Sequence, residues 1–248
     1  MKRSIWVWTG LFVLAIGGSA FAWFWFSGGS GEPSTELTTP TIAGQTSTTA
    51  GPPTTGDEGT PTPVAETASG AFVIQPDQSQ AIFTLDEVLR GVPTTVVGTT
   101  TELAGQFVLD VEDLGQTRFS DFVVNARTFV TDSSNRDRAI RGPIILDSAT
   151  DEFEFITFKV KEAVGLDGSA AVGDTFTFTL IGDLTIRDQT NEVEFALTAS
   201  LLDDSTVEGT ATANVLRSAF GIGIPNVAFV ADVSDEVTLQ LEFVATSS

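Results

Sequence analysis

Hydrophobic and polar residues alternate along three long stretches between residues 175 and 245, so each stretch has one apolar and one polar side. A period of two is typical of half-buried antiparallel β-strands, because successive side chains of a strand point to opposite faces of the sheet. The apolar members of the three stretches are Phe176, Phe178, Leu180, Leu184 and Ile186; Val193, Phe195, Leu197, Ala199 and Leu201; and Val237, Leu239, Leu241, Phe243 and Ala245.

One short helix is predicted among the strands, at about residues 132–141. Asp132 or Ser133 would be its N-cap, and Gly142-Pro143 would end it. Many strands with almost no helix indicate an all-β domain, either a sandwich or a barrel, and the pattern alone does not distinguish the two.

The alternation changes phase within the segment FEFITFKV. Phe153 and Phe155 occupy odd positions of the alternation, whereas Phe158 and Val160 occupy even positions. A β-bulge adds one residue to a strand and so reverses the side chains that follow it. We therefore predict a bulge near residues 155–156.

The N-terminal residues have a different pattern. Residues 5–26 are uncharged and apolar and follow Lys2 and Arg3, and all 4 tryptophans of the chain lie near the two ends of this stretch. A helix rising about 1.5 Å per residue would span a bilayer here, with its tryptophans at the interfaces. A cleaved signal peptide is the alternative, but the stretch exceeds the usual apolar core of about 7 to 15 residues. We predict that residues 1–26 are a retained signal anchor in the cytoplasmic membrane, followed by an extracytoplasmic remainder.

A linker is predicted between the anchor and the β domain. Residues 27–69 contain 30 Gly, Ser, Thr or Pro among 43 positions, with no basic and no aromatic residue. Such a segment buries too little apolar surface to offset the entropy of ordering, so we expect it to be disordered. The domains are therefore the anchor at 1–26, the linker at 27–69 and the β domain at 70–248.

Composition excludes several classes of function. The net charge of −21 argues against nucleic-acid binding, which depends on basic groups. The chain has no Cys and no His, which removes disulfides, the usual zinc ligands and the commonest catalytic triads. Carboxylate groupings are expected by chance in so acidic a chain, and no other feature supports catalysis. We predict a protein that is not an enzyme and that holds no metal and no cofactor.

Four segments of the β domain resemble the signature stretches of the YceI-like family of polyisoprenoid-binding proteins, in the order of that family. They are NRDRAIRGPIILDSATDEFEFITFK at 135–159, GDLTIRDQTNEVEF at 182–195, VLRSAFGI at 215–222 and DEVTLQLEF at 235–243. The segment at 84–100 is similar to a membrane-anchored branch of the family. The resemblance implies a lipocalin-like antiparallel β-barrel of about eight strands, whose apolar interior holds an isoprenoid chain.

This resemblance identifies two sets of candidate ligand-binding residues. The β domain holds 15 Phe and no Trp or Tyr, a composition suited to an apolar cavity, although an ordinary packed core is the alternative for any single Phe. The candidates for the apolar lining are Phe107, Phe129, Phe158, Phe178, Leu180, Phe195 and Phe220. The candidates for a contact with the head group are Arg136, Arg141 and Arg187.

Magnitudes indicate that the hydrocarbon tail would set the affinity. Burying ten methylene equivalents contributes about 8 kcal/mol, whereas an exposed ion pair contributes about 0 to 1 kcal/mol. The alternative for Arg136, Arg138 and Arg141 is pairing with Asp137, Asp132 or Asp147, and it is favoured because charge clusters are usually solvated or paired. The domain carries 28 acidic against 10 basic residues, which favours a neutral head group such as a quinone over a pyrophosphate.

The sequence therefore predicts a membrane-tethered extracytoplasmic binding protein, a carrier or buffer for an isoprenoid lipid or quinone. Its partners would be that lipid and the membrane that holds its N-terminal helix. A second hypothesis is a cell-surface interaction or stress module whose barrel is packed solid and takes no lipid. The two differ in one physical property, which is whether the barrel is hollow.

Overall fold

The computed structural model describes residues 37, 39–40, 42 and 70–247. The predicted membrane helix at 5–26 and most of the predicted linker lie outside these residues. In the described part of the chain, no helix is both long and apolar enough to cross a membrane.

The described domain is built almost entirely of antiparallel strands, as the period of two predicts. The strands are β1 (Ala71–Ile74), β2 (Gln80–Leu89), β3 (Val92–Thr100), β4 (Leu103–Ala104), β5 (Gln106–Val108), β6 (Arg118–Phe119), β7 (Phe122–Asn125), β8 (Phe155–Val164), β9 (Thr175–Ile186), β10 (Gln189–Asp203), β11 (Thr206–Leu216), β12 (Val230–Ala231) and β13 (Glu236–Ser247). The prediction of an all-β domain is confirmed.

The strands form a single sheet that curls until its pairings return to their start. Residues 71–89 pair with 92–108, which pair with 118–125, and from there β8, β9, β10, β11 and β13 follow in up-and-down order. The circuit closes because β13 pairs with both β1 and β2. This curled antiparallel sheet with one helix fits the lipocalin-like architecture that the family resemblance implies.

Two ends of the barrel follow from the strand directions. At the loop end, the connections 109–117 and 165–174 are joined by hydrogen bonds from Leu114 N to Gly168 O (2.8 Å) and from Ala170 N to Val111 O (2.9 Å). At the helix end lie α1 (Ser134–Arg141) and the 3-10 turn Arg217–Phe220. Helix α1 begins after Ser133 and ends at Gly142, so the predicted helix is confirmed.

The predicted bulge lies elsewhere. The register of β8 shifts between Val160 and Glu162, not near residues 155–156. The change of phase in the hydrophobic alternation, from which the bulge at 155–156 was predicted, has another cause. Phe153 belongs to a 3-10 turn, Asp151–Phe153, and the strand begins only at Phe155. Two different elements were treated as one strand, and this produced the error.

One residue of the predicted linker forms a hydrogen bond with the barrel, and a second is buried. The side-chain Nε2 of Gln106, on β5, donates a hydrogen bond to the carbonyl oxygen of Pro40 (2.8 Å). Ile42 is only 3% exposed. The apolar side chain of Ile42 is therefore buried within a segment otherwise rich in threonine.

Candidate functional site

The curled sheet encloses an apolar cavity of about 150 Å³. Of the 28 described residues that line it, 26 are apolar and 10 are phenylalanine. The two polar residues of the lining are Thr117 and Gln240. A space of this composition cannot solvate an ion and is suited to hydrocarbon.

The inner wall owes its shape to glycines that face phenylalanine rings. Gly98 pairs across the sheet with Phe83, and Gly209 pairs with Phe243. A Cβ added at Gly209 would lie 2.7 Å from Cζ of Phe243, closer than real Cβ contacts, and one at Gly98 would overlap the Phe83 ring. The rings therefore occupy the space that a side chain on the opposite strand would take. They lie back against the wall and leave the centre of the barrel open.

The structure brings six of the seven predicted lining residues to this cavity. They are Phe107, Phe129, Phe158, Phe178, Leu180 and Phe195. Phe220 is placed differently: it is 2% exposed and lies in the turn Arg217–Phe220 at the helix end, outside the cavity lining. An apolar residue in this position predicts burial, and Phe220 is buried. The sequence does not show whether a buried side chain packs in a turn or lines a cavity.

The aromatic side chains of the lining form a connected cluster. Phe107 contacts Phe119 and Phe243 with ring centroids 6.1 and 6.4 Å apart, and Phe158 meets Phe195 edge to face at 4.9 Å. These tilted and edge-to-face contacts are the favourable geometries of aromatic pairs. Because such rings can turn about two side-chain bonds, the cluster is a wall that can rearrange around a guest.

The size of the cavity sets a limit on the guest that fits without rearrangement. A dry apolar cavity of about 150 Å³ holds a molecule the size of benzene. This is comparable with a single isoprene unit. A longer prenyl chain would extend beyond this volume.

The three arginines predicted to contact a head group do not line the cavity. Arg136 forms ion pairs with Glu87 (2.9 Å) and with Asp132, so the predicted pairing of Arg136 with Asp132 is confirmed. Arg141 donates from Nη2 to the backbone carbonyl oxygen of Phe129, a lining residue (2.7 Å).

Arg187 lies in the tight turn between β9 and β10 at a positive φ of 57°. It donates to the carbonyl oxygen of Ile145 (3.3 Å), and its guanidinium lies 5.9 Å from the centre of the Phe153 ring. The Nε atoms of Arg141 and Arg187 are buried without a hydrogen-bond partner among the described residues. All three arginines belong to the helix end.

A buried ionic cluster that the sequence did not predict is centred on Arg127 and Glu154. Arg127 Nη1 lies 3.1 Å from Oε2 of Glu154, with the two side chains 5% and 2% exposed. Arg127 also binds the exposed carboxylate of Asp151 at 2.6 Å, and Asn125 donates to Glu154 Oε1 at 3.1 Å. The cluster joins the end of β7 to the start of β8. Charge pairs so far apart in sequence have no local signature, so only the folded chain reveals them.

The described residues whose pKa values are shifted are not part of the cavity lining. Hydrogen bonds from the backbone and side chain of Ser205 lower the pKa of Asp203, and the Ser218 hydroxyl lowers that of Asp235. A hydrogen bond to Asp183 raises the pKa of Lys161. Within the described residues no three His, Cys, Asp or Glu side chains form a metal site.

Solved structures with this fold include the following two. Burkholderia cenocepacia BcnA is 20% identical, with a TM-score of 0.54 over 70% of this chain and 99% of its own. A polyisoprenoid binding domain from Saccharophagus degradans, implicated in plant cell wall breakdown, is 13% identical, with a TM-score of 0.55 over 72% of this chain and 99% of its own. No curated protein matches the chain in sequence. The model of the YceI-like domain matches residues 72–245. This chain belongs to the YceI-like domain family.

Proposed function

We propose that this protein is a carrier or buffer for an isoprenoid lipid, tethered to the outer face of the cytoplasmic membrane and without catalytic activity. The observation that carries the proposal is the cavity, 26 of whose 28 described lining residues are apolar. The tether rests on the sequence of residues 1–69. The related domain from Saccharophagus degradans, described as polyisoprenoid binding, supports the same class of ligand.

Energetics favour the tail as the source of affinity. Each buried methylene group contributes about 0.8 kcal/mol, so two or three isoprene units outweigh any exposed ion pair at the barrel end. No charged residue belongs to the described lining, so no side chain there is suited to proton transfer or nucleophilic attack. These features support binding without chemistry.

Lipid extraction tests the proposal directly. The barrel, residues 70–248, is purified and extracted with organic solvent, and the extract is examined by mass spectrometry for prenyl species. We expect a prenyl lipid in the extract, or uptake of added polyprenol or quinone by the empty barrel. An empty extract without uptake would favour the interaction module with a solid core.

Three variants separate the contribution of the lipid tail to binding from that of the basic end of the barrel. Phe178→Asp places a carboxylate in the apolar lining, where its desolvation is costly, and should abolish uptake. Phe178→Leu, which keeps the wall apolar, should retain it. Arg138, exposed on α1, serves as the control, and Arg138→Ala should change uptake little. The opposite ranking would show that the head group dominates binding.

A further inference from the structure

An exposed aromatic side chain lies at the helix end of the barrel, beside the hairpin that joins β2 to β3. Phe229 is 72% exposed, and Val92, the first residue of β3, is 61% exposed. Strand β2 runs antiparallel to β13, which begins next to the turn Arg217–Phe220, so the end of β2 belongs to the helix end. The backbone N–H of Arg90 donates to the carbonyl oxygen of Phe229 (2.7 Å) and joins the two parts. We call Arg90, Gly91, Val92 and Phe229 the hairpin tip.

The backbone of the hairpin tip adopts conformations that most side chains avoid. Arg90 and Gly91 have φ values of 53° and 81°, and they fill the two central positions of a turn that usually holds Asn-Gly. Phe229 has a φ of 74°, which is rare for a bulky residue. Such strained residues cluster at functional sites and persist only where the surrounding structure holds them. The fold therefore keeps this ring and this guanidinium exposed at an energetic cost.

The guanidinium of Arg90 has no carboxylate partner. It lies 5.9 Å from the centre of the Phe229 ring and forms no ion pair with any described residue. On β2, Glu87 is ion-paired with helix α1 (2.9 Å), and Asp86 accepts a hydrogen bond from β3 (2.7 Å). Asp86 and the exposed Asp232 offset the charge of Arg90, so long-range attraction to an anion is weak here. The tip therefore offers two apolar side chains and one set of free guanidinium donors.

The size and character of the hairpin tip favour a lipid bilayer over a protein partner. One aromatic side chain buries only about 150 to 250 Å², whereas each partner in a stable protein interface contributes roughly 800 Å². The surface of a bilayer accepts apolar side chains at the boundary between headgroups and acyl chains, and a guanidinium among the phosphates. The proposed tether makes such a weak contact sufficient, because linked partners have effective concentrations of about millimolar.

We propose that the hairpin tip docks the barrel on the bilayer surface, with Phe229 and Val92 inserted among the headgroups and Arg90 bound to a lipid phosphate. The inference rests on the membrane tether in the proposed function. It adds the surface by which the barrel meets the membrane, and it points the helix end toward the bilayer and the loop end away from it. Docking of this kind does not require a lipid in the cavity, so the two can be tested separately.

A single attached fluorophore reports the contact, because the chain has no cysteine of its own. The full chain carrying Val92→Cys is labelled and reconstituted in liposomes of phosphatidylcholine, some of which bears a quencher in its headgroup region. Neutral lipid is used because the acidic domain is repelled by anionic lipid. Val172→Cys is the matched control, since this valine is 52% exposed and lies in the connection 165–174 at the loop end. We expect strong quenching at the tip and little at the loop end, and equal quenching at both would overturn the inference.

The variant Phe229→Asn separates docking from packing. Asparagine adopts positive φ more readily than phenylalanine, so the urea midpoint should be unchanged or higher. Loss of the ring should lower the ratio of docked to free barrel by about tenfold, the smallest effect expected for returning a phenylalanine side chain to water. Phe229→Trp, which keeps an aromatic ring, should retain the contact. If Phe229→Asn lowers the urea midpoint and leaves the quenching unchanged, Phe229 supports the fold and the inference is wrong.

Failure of this inference and failure of the proposed function give different results. If the reconstituted chain does not float with the liposomes, the tether is wrong and the inference falls with it. If the chain floats but the tip is not quenched, the inference fails, while lipid extraction still decides whether the barrel carries an isoprenoid. Quenching that follows the ratio of protein to lipid, and not the amount of quencher lipid, would show that the tip contacts a second copy of the chain and would also overturn the inference.

Discussion

Replacing Gly98 with alanine tests whether glycine is what keeps the barrel hollow. A Cβ at this position would overlap Cε1 and Cζ of the Phe83 ring, with Cδ1 at 3.1 Å. Since carbon atoms pack at about 3.5 to 4.0 Å, the ring must retreat by roughly 1 Å or more. Phe83 already meets Phe129 edge to face at a centroid distance of 5.2 Å, and both rings line the cavity. Gly98→Ala should therefore push one ring of the lining toward the other.

Two quantities should change. Overpacking of this kind lowers the free energy of unfolding by about 1 to 3 kcal/mol, measured as a lower urea midpoint. If the displaced ring excludes two methylene equivalents of guest, farnesol binding should weaken by about 15-fold. The two effects have one cause, since the same movement strains the wall and fills the cavity.

Two comparisons make the result interpretable. Gly223→Ala is the matched control, because its Cβ would meet only Cγ2 of Ile144 at an ordinary 3.8 Å and should have little effect. Phe83→Leu should relieve Gly98→Ala, with a coupling energy of about 0.5 to 3 kcal/mol in a double-mutant cycle. If Gly98→Ala unfolds and binds like the wild type, the ring does not depend on the glycine and our account of the open centre is wrong.

Three further predictions concern the rest of the molecule. Glu154→Gln should cost about 1 to 3 kcal/mol in urea unfolding, because it replaces the buried carboxylate beside Arg127 by a neutral amide while Arg127 keeps its ion pair with Asp151, and an unchanged urea midpoint would contradict a structural role for the pair. Ser218→Ala should raise the pKa of Asp235 in a carbon-13 NMR titration. Because the pKa of Asp235 is lowered in the folded protein, its ionised carboxylate stabilises the fold at pH values above the unfolded-state pKa. This contribution to the free energy of unfolding is lost as the pH falls through the folded-state pKa, and in the variant the loss should occur at higher pH. Ile42→Ser should speed hydrogen exchange at the backbone amide of residue 42, because the buried apolar side chain is lost, and unchanged exchange there would show that this burial does not protect the amide.

The period of two along the strands was sufficient to predict an all-β domain and the face that each strand buries, whereas the barrel and its lining residues were predicted from the resemblance to the YceI-like family. Phe178 and Leu180 are two residues apart on a strand, so they must face the same side, and the apolar side of a half-buried strand faces inward. The short helix could also be predicted from local sequence, because the residues at its own ends determine where it begins and ends. These features follow from the sequence because each is decided by a residue and its near neighbours.

The tertiary structure alone decided which residues meet across the barrel. Gly98 faces Phe83 because of the register of β2 and β3, and Arg127 reaches Glu154 because β7 and β8 are adjacent. Thr117 looks like an ordinary turn residue in the sequence, but in the folded chain its Oγ1 is buried without a hydrogen-bond partner among the described residues. A sequence pattern reports the face that a side chain occupies, whereas register and curvature determine what lies opposite, and so whether the interior is filled or open.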